Sequence, residues 1–326
     1  MFKLAIVGAT GLVGRKVLQI LEDKDLPIYD YGLFSSARSA GTVIDFKGKD
    51  YVVQELTEDS FIHTHYDFAI FSAGAATALQ YAPIAASHGC TVIDNSSAFR
   101  MDNTVPLVVP EVNPEDLAWH HRIIANPNCS TIQAMLPLKV LQDNYQLKRV
   151  VYSTYQAVSG AGLKGIHDLE NGIKGLENQK FPHPIFNNCL PHIDVFLEKG
   201  YTKEEEKMIH ETRKILHLPE LPVTATCVRV PVFNCHSESI NVELEHDFTL
   251  DDVRHKFNKL KNLNVVDDLQ NNMYPLATDC SGSDQVFVGR IRRDGSVPYG
   301  LNLWVVADNI RKGAATNAIQ ILEKLI

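Results

Sequence analysis

The chain has 326 residues, a formal net charge of -8 at pH 7 and 45% hydrophobic residues. Its length is sufficient for two domains with hydrophobic cores, and its negative charge argues against a nucleic-acid or anionic-membrane partner. No apolar stretch could span a bilayer, and no signal peptide precedes the first predicted strand. Because the six cysteines also lack CxxC or metal-ligand spacing, we expect a cytoplasmic protein with reduced thiols and no metal.

The N-terminus predicts a nucleotide-binding motif. An apolar strand at Phe2–Val7 leads into a glycine-rich turn at Gly8–Gly14, and a helix follows from Arg15. Glycines allow the backbone to approach a pyrophosphate, which the N–H groups of the helix N-terminus can then bind. The spacing departs from the strict Gly-x-Gly-x-x-Gly form, so a purely structural turn is the alternative for this motif alone. The alternation of strands and helices up to about residue 128 favours a Rossmann-like dinucleotide-binding domain.

The second predicted strand, Tyr31–Phe34, is followed by Ser35–Gly41, which contains no acidic residue. An acid at this place would bind the ribose 2′-hydroxyl of NAD, whereas hydroxyls and the guanidinium of Arg38 suit a 2′-phosphate. This segment therefore predicts NADP as the cofactor. Two further strands, Asp67–Gly74 and Thr91–Asp94, end in small or polar residues, which should face the ligand at the carboxyl edge of a parallel sheet.

Cys129 stands on a turn between a predicted strand at 122–125 and a predicted helix that includes Gln133. Backbone N–H groups at a helix N-terminus stabilise a thiolate and can hold a developing oxyanion, which is what a nucleophile that accepts an acyl group needs. Taken alone, a cysteine is more often a small buried apolar residue. Its position behind a nucleotide-binding domain favours the catalytic interpretation.

The second half of the chain predicts a mixed sheet backed by helices, from strand-like runs at 150–155, 223–232, 239–245 and 301–306. Arg229 and His236 lie in one strand-like stretch, 226–242, where they could supply an anion-binding guanidinium and an acid/base group. The Gly/Asn/Pro-rich region from Gly160 to Pro191 predicts a long surface excursion. The closing helix, predicted over 309–325, should return to the first domain, so we expect domains at 1–128 plus 309–326 and at 129–308.

The chain resembles the aspartate-semialdehyde dehydrogenases along most of its length. The matching stretches are Gly8–Gly14, Ser36–Gly41, Asp94–Arg100, Pro110–Asn113, Asn126–Thr131, Tyr155–Gly162, Arg229–Val232 with His236, and Ala307–Ala315. The resemblance implies a Rossmann-like domain followed by a catalytic and dimerisation domain, and a homodimer or homotetramer. Cys235, beside His236, has no counterpart in that mechanism, and we interpret it as a packing residue because strand alternation turns it away from the face that bears His236.

The resemblance also implies residue roles. Cys129 would be the nucleophile, His236 the acid/base group, and Gln156 the residue that orients the acyl intermediate. Substrate binding would involve Arg229 for the α-carboxylate, Glu211 for the amine, Arg100 and Lys214 for phosphate, and Asn128. Cofactor binding would involve Gly8, Thr10, Gly11, Leu12, Val13, Ser36, Arg38, Ser39, Ser72, Ala73, Gly74, Ser159, Gly160 and Asn309.

The implied reaction is the reversible, NADPH-dependent reductive dephosphorylation of L-aspartyl 4-phosphate to L-aspartate 4-semialdehyde, in the biosynthesis of lysine, threonine and methionine. Small-molecule substrate and inorganic phosphate are the expected partners. N-acetyl-glutamyl-phosphate reductase shares this chemistry, but its acylated substrate amine gives no reason for a carboxylate at Glu211. A non-catalytic NADP-binding regulator is a further alternative, although it would not need cysteine, glutamine, arginine and histidine together.

Overall fold

The computed structural model describes all residues from 1 to 326. The chain divides into two compact units, the first formed by Met1–Asn128 with Ala314–Ile326 and the second by Cys129–Gly313. The second unit therefore continues past residue 308, where the sequence analysis placed its end. No helix is both long and apolar enough to cross a membrane.

The chain forms fourteen strands and nine α-helices. The strands are β1 (Phe2–Val7), β2 (Ile28–Ser35), β3 (Val43–Phe46), β4 (Lys49–Val52), β5 (Gln54–Glu55), β6 (Phe68–Phe71), β7 (Thr91–Asp94), β8 (Ile123–Ala125), β9 (Leu147–Gln156), β10 (Val223–Arg229), β11 (His236–Leu244), β12 (Leu263–Val265), β13 (Val286–Asp294) and β14 (Gly300–Ala307). The helices are α1 (Leu12–Glu22), α2 (Asp59–Ile62), α3 (Ala75–Ser87), α4 (Cys129–Tyr145), α5 (Leu163–Ile173), α6 (Lys203–Ile215), α7 (Leu250–Phe257), α8 (Ala277–Cys280) and α9 (Thr316–Leu325).

The first unit is built on a parallel sheet with the strand order β5-β2-β1-β6-β7-β8. β1 is central and its residues Leu4 and Ile6 are fully buried, as expected for a strand covered on both faces. α1 and α9 pack together, and Ile319 and Leu322 of α9 belong to the same hydrophobic core as β1. The C-terminal helix is therefore part of the first unit, and the predicted Rossmann-like fold is confirmed.

The second unit contains the predicted mixed sheet, in the order β10-β9-β11-β14-β13-β12. β10 pairs parallel to β9, and β11 pairs antiparallel to both β9 and β14. Helix α4 packs against β9, β11 and β14, and α6 packs against β10. The fold class inferred from the sequence is thus confirmed for both units.

Beyond small shifts in the ends of helices and strands, three predicted elements differ from the structure. The single strand-like stretch at 226–242 is two strands, because β10 ends at Arg229 and β11 begins at His236. The excursion from Gly160 to Pro191 contains α5, whose buried Leu169 packs with Val158 and Ile185. The closing α-helix begins at Thr316 rather than at 309, because a π-helical segment at Arg311–Ala315 precedes it.

Glu238, the third residue of β11, has a fully buried carboxyl group. Neither of its side-chain oxygens has a hydrogen-bond partner in the protein. Burial raises the pKa of Glu238 well above its usual value, because the ionised form cannot be solvated there. The native state therefore retains a proton that the unfolded chain loses above pH ~4.5.

This burial predicts a pH-dependent gain in stability for Glu238→Gln. As the pH rises from about 5 to 8, wild-type stability should fall relative to the variant by up to about 1.4 kcal/mol per pH unit, because only the unfolded wild type releases the proton. Urea unfolding followed by circular dichroism at several pH values measures the difference. The exposed Glu220→Gln is the control and should leave the pH dependence unchanged. Parallel curves for wild type and Glu238→Gln would contradict the assignment.

Candidate active site

The glycine-rich turn after β1 allows a close approach of backbones. Gly8 has a φ of 86°, and a Cβ there would lie 2.9 Å from the backbone of Ser72. A Cβ on Gly14 would lie 2.1 Å from the carbonyl oxygen of Gly8, so α1 can start this close to β1 only with glycine at 14. The turn thus has the compact form that exposes backbone N–H groups at the start of α1, and Gly11, Leu12 and Val13 lie there.

The adjacent strands bring the other predicted cofactor residues of the first unit to the same edge. Thr10 at the glycine turn and Ser35 at the end of β2 share a hydrogen bond of 2.8 Å between their hydroxyls. Ser36 and Ser39 flank the exposed Arg38 in the 3-10 turn at Ala37–Ser39. Because no carboxylate lies in this turn, the residues present fit a 2′-phosphate.

The remaining predicted residues of this unit follow β6, β7 and β8. Ser72 donates a hydrogen bond of 3.1 Å to the Val7 carbonyl, and Ala73 and Gly74 lead into α3. Arg100 is buried after β7 and donates to the Asn95 carbonyl at 2.9 Å. Asn128 is buried and is the last residue before α4.

In the second unit, Cys129 is the first residue of α4 and is partly exposed. A Cβ on Gly313 would lie only 3.0 Å from the Cβ of Cys129, so glycine at 313 makes room for the backbone beside the thiol. The other described cysteines differ in their surroundings. Burial raises the pKa of the thiols of Cys227 and Cys235, and raises that of Cys280 to about 12.

Three predicted site residues meet at one end of the second sheet. Gln156 is the last residue of β9, Arg229 the last of β10 and His236 the first of β11. Arg229 pairs with Gln156 across the parallel strands, and all three side chains are buried. Strand direction explains the meeting, since the carboxyl ends of two parallel strands adjoin the amino end of an antiparallel neighbour.

The surroundings of His236 define its protonation. The backbone N–H of Ala157 donates to Nδ1 of His236 at 3.0 Å, so Nδ1 is an acceptor and the neutral ring carries its proton on Nε2. Burial and, to a lesser extent, the charge of Arg229 together lower the pKa of His236 to about 3, while Glu204 opposes the shift. Nε2 has no partner in the protein. The imidazole is therefore a neutral hydrogen-bond donor at neutral pH.

Arg229 is held beside this imidazole. One guanidinium nitrogen donates to the Ala157 carbonyl at 2.7 Å, and the group lies 5.9 Å from the ring of Phe181. A Cβ on Gly160 would lie 2.9 Å from Arg229 and 3.2 Å from the His236 ring, so position 160 borders both. Burial lowers the pKa of Arg229, while the nearby Glu204 and Cys129 oppose the shift. Cys129 thus belongs to the same cluster as Arg229 and His236.

Gln156 is fixed at both ends of its amide. The Thr154 hydroxyl donates to Oε1 at 3.0 Å, and Nε2 donates to Oε1 of Glu204 at 3.2 Å. Sequence reasoning missed Glu204. Its only signal was the run of three glutamates at 204–206, which also fits a solvated surface.

Asn309 and Ser159 lie together after β14 and β9. The Asn309 amide donates to the Ser159 hydroxyl at 3.0 Å, and its Oδ1 accepts from the Cys235 backbone at 3.0 Å. Cys235 has a φ of 69° and packs with Cys280 and Val306. It therefore precedes β11 in a left-handed conformation, so strand alternation does not set the direction of its side chain, although the residue packs as expected.

Glu211 and Lys214 both lie on α6. Glu211 is buried and follows Met208 on the buried side of the helix, whereas Lys214 is partly exposed in the last turn. Among all residues described, no group of three or more His, Cys, Asp or Glu side chains is placed to hold a metal ion.

Comparisons with known proteins agree with this organisation. Residues 3–120 match the family model "Semialdehyde dehydrogenase, NAD binding domain", and residues 138–312 match "Semialdehyde dehydrogenase, dimerisation domain". The chain is 54% identical to aspartate-semialdehyde dehydrogenase of Aquifex aeolicus over 100% of this chain and 98% of that protein. It is 45% identical to the Bacillus subtilis enzyme of that name over 99% and 96%.

Solved structures show the same relationship. The structure of aspartate semialdehyde dehydrogenase II from Vibrio cholerae complexed with ASA matches with a TM-score of 0.95 and 44% identity, over 100% of this chain and 98% of that chain. The Candida albicans enzyme with NADP matches with a TM-score of 0.80 and 26% identity, over 100% and 98%. The fold, the NAD(P)-binding domain and these relatives together confirm the resemblance found in the sequence: the chain belongs to the aspartate-semialdehyde dehydrogenase family.

Proposed function

We propose that this chain reduces L-aspartyl 4-phosphate to L-aspartate 4-semialdehyde and phosphate with NADPH, reversibly, as a step in the biosynthesis of lysine, threonine and methionine. Family membership supports the activity. The single observation that carries it is the cluster in the second unit, where a cysteine at the start of α4 shares its surroundings with a buried arginine and histidine. The relatives reported above favour this reaction over N-acetyl-glutamyl-phosphate reduction or a regulatory role.

The first step we assign is attack by the Cys129 thiolate on the acyl carbon. A sulfur–carbon bond forms and the carbon–oxygen bond to phosphate breaks, so phosphate leaves with the bonding pair and a thioester remains on Cys129. The N–H groups at the start of α4 and the charge of Arg229 stabilise the thiolate. Phosphate itself would be bound by Arg100 and Lys214, by resemblance to the family.

The second step reduces the thioester. The cofactor, when bound, supplies a hydride, and the glycine turn with Arg38 fits a dinucleotide that carries a 2′-phosphate. The alkoxide left on the former carbonyl carbon then reforms its double bond and expels the Cys129 thiolate, which releases the aldehyde. The proton consumed overall is taken up by the departing phosphate.

His236 supports both steps as a hydrogen-bond donor. Its Nε2 proton can bind the developing oxyanion of the acyl group, and a neutral imidazole polarises a carbonyl without a charge of its own. The acid/base role expected from the sequence would then involve the proton on Nε2, because the lone pair of Nδ1 already accepts the Ala157 N–H. Neither step above requires an imidazolium ion.

Substrate recognition follows the charges of aspartyl phosphate. Arg229 would bind the α-carboxylate, since a planar guanidinium can form two parallel hydrogen bonds with it, and Gln156 would orient the acyl group. Glu211 would bind the ammonium group and Asn128 would contact the substrate, by resemblance to the family. We also propose a cytoplasmic location, because all six cysteines are free and the nucleophile needs a reducing compartment.

We further propose a homodimer formed through the outer face of the second sheet. The helices α4 and α6 cover the inner face, whereas Tyr155 and Trp304 lie on the other, with ring centroids 5.5 Å apart. Val151 continues this partly exposed face along β9. The match of residues 138–312 to a dimerisation domain indicates a second copy of the chain as the occupant.

The nucleophile is tested by substitution of single cysteines. Cys129→Ala should lower kcat by more than about 10³-fold in the phosphate-dependent oxidation of the semialdehyde, because no other thiol can form the thioester. NADPH binding, measured by fluorescence titration, should be unchanged. The exposed Cys189→Ala and the buried Cys235→Ala should remain active. Equal loss in Cys129→Ala and Cys235→Ala, with both proteins folded, would mean that the thiol is wrongly assigned.

The cofactor preference is tested at Arg38. Arg38→Ala should raise the KM for NADPH about 10- to 100-fold and leave that for NADH nearly unchanged, because only the former loses a charge-assisted phosphate contact. Steady-state kinetics with each cofactor measures this. Lys49→Ala, another exposed cation of the first unit, should change neither value. A wild-type enzyme that uses NADPH and NADH equally well would contradict the proposal without any variant.

The homodimer is tested by placing a charge on the outer sheet face. Val151→Glu should convert a species of twice the 36.4 kDa chain mass into a monomer in light scattering, because two carboxylates would be buried in the interface. Leu79→Glu, at an exposed apolar position of α3, should leave the mass unchanged. A wild-type chain of monomeric mass, or a Val151→Glu chain that stays dimeric, would exclude this face.

A further inference from the structure

The excursion from Gly160 to Pro191 contributes an aromatic ring to the candidate site. Its Phe181 lies over the guanidinium of Arg229, with 5.9 Å between Cζ of Arg229 and the centroid of the ring. We propose that Phe181 is a positioning residue that fixes the plane of the Arg229 guanidinium, and that Asp168 holds Phe181 in place. The inference rests on the proposed function, in which Arg229 binds the α-carboxylate of the substrate.

The contacts of Arg229 leave one edge of its guanidinium for a ligand. Nη1 donates to the Ala157 carbonyl at 2.7 Å, whereas the buried Nε has no partner in the protein. The hydrogen bond from Nη1 fixes one corner of the group but not the tilt of its plane. Because an aromatic ring attracts a cation over its face, Phe181 restricts that tilt and leaves the edge that carries Nε to a carboxylate. Two parallel hydrogen bonds to a carboxylate require this defined plane.

One buried carboxylate holds the backbone that carries Phe181. Asp168, on α5, accepts hydrogen bonds from the backbone N–H groups of Gln179, Lys180 and Phe181 at 2.6, 2.7 and 2.8 Å. Although burial opposes it, these hydrogen bonds lower the pKa of Asp168, so the group is ionised at neutral pH. Three charge-assisted hydrogen bonds to successive residues therefore define the path of the backbone up to the ring.

Two further contacts tie the excursion to the end of β10. The backbones of Leu190 and Arg229 exchange two hydrogen bonds, of 2.9 and 2.8 Å. Phe181 also packs against the hydrophobic cluster that contains Val158 and Leu190. The excursion thus contacts Arg229 twice, through its backbone at Leu190 and through the ring of Phe181, and the ring has a fixed place over the guanidinium.

The inference is tested by the steady-state kinetics of Phe181→Leu in the phosphate-dependent oxidation of the semialdehyde. Leucine keeps an apolar side chain at this position but removes the aromatic face. The KM for the semialdehyde should rise about 5- to 30-fold, because the carboxylate meets a guanidinium of less defined orientation. The KM for phosphate and that for NADP should each change less than about twofold. Phe186→Leu, at an exposed aromatic residue of the same excursion, should match the wild type.

Asp168→Asn provides a second variant. An amide at this position lacks the charge and cannot accept all three N–H groups, so the backbone that carries the ring should loosen. The variant should raise the KM for the semialdehyde in the wild-type chain, but less than about twofold when position 181 is already leucine. Thermal unfolding of each variant identifies a folding defect. A normal KM in a folded Asp168→Asn would overturn the inference even if Phe181→Leu did not fold.

A double-mutant cycle with Arg229→Lys decides whether the ring acts through the planar guanidinium. Lysine keeps the charge but has no plane to align, so Phe181→Leu should lower kcat/KM less than about twofold in that background. Losses that multiply in the double variant, or a normal KM for Phe181→Leu alone, would overturn the inference. Failure of the proposed function would appear differently, as a wild-type protein without phosphate-dependent turnover or an Arg229→Lys variant with normal kcat/KM, and the latter would also exclude Phe181 from acting through Arg229.

Discussion

The candidate site depends on how β9 pairs with its two neighbours. β10 runs parallel to β9 and β11 runs antiparallel, so the ends of the first two strands and the start of the third coincide. This places Gln156, Arg229 and His236 side by side, although the last two are separated from the first by a long stretch of chain. Backbone hydrogen bonds set the register, and a register shift of one residue would turn each side chain to the other face of the sheet.

Burial then determines what these groups can do. A charged or polar group removed from water needs a partner, and the structure supplies partners from the backbone as much as from side chains. The amide and the carbonyl of Ala157 hold His236 and Arg229 respectively. Ala157 therefore sets the tautomer of His236 and the direction of the Arg229 side chain. The imidazole of His236 remains neutral beside the guanidinium cation.

Glycines border the candidate site at positions where a side chain would collide with its neighbours. Gly160 borders the guanidinium of Arg229 and the imidazole of His236, and Gly313 borders Cys129. A Cβ at either glycine would lie within 3.2 Å of these neighbours. In the first unit, Gly8 and Gly14 likewise let the backbones of β1, α1 and the end of β6 approach more closely than a Cβ would allow. In both units, glycine thus allows the backbone to lie close to the residues expected to bind cofactor or substrate.

The sequence by itself determined the order of elements, the two kinds of sheet, the nucleotide-binding turn and the family, because hydrophobic periodicity and glycine spacing are local properties. It also singled out the cysteine, arginine and histidine that the second unit gathers. It placed Arg229 and His236 in one strand-like stretch, since a run of apolar and small residues is continuous across the loop that separates β10 from β11. The tautomer of His236, the contact between Glu204 and Gln156 and the unpartnered carboxyl of Glu238 were decided only by the tertiary structure, because each depends on which distant backbone or side-chain group lies beside it after folding.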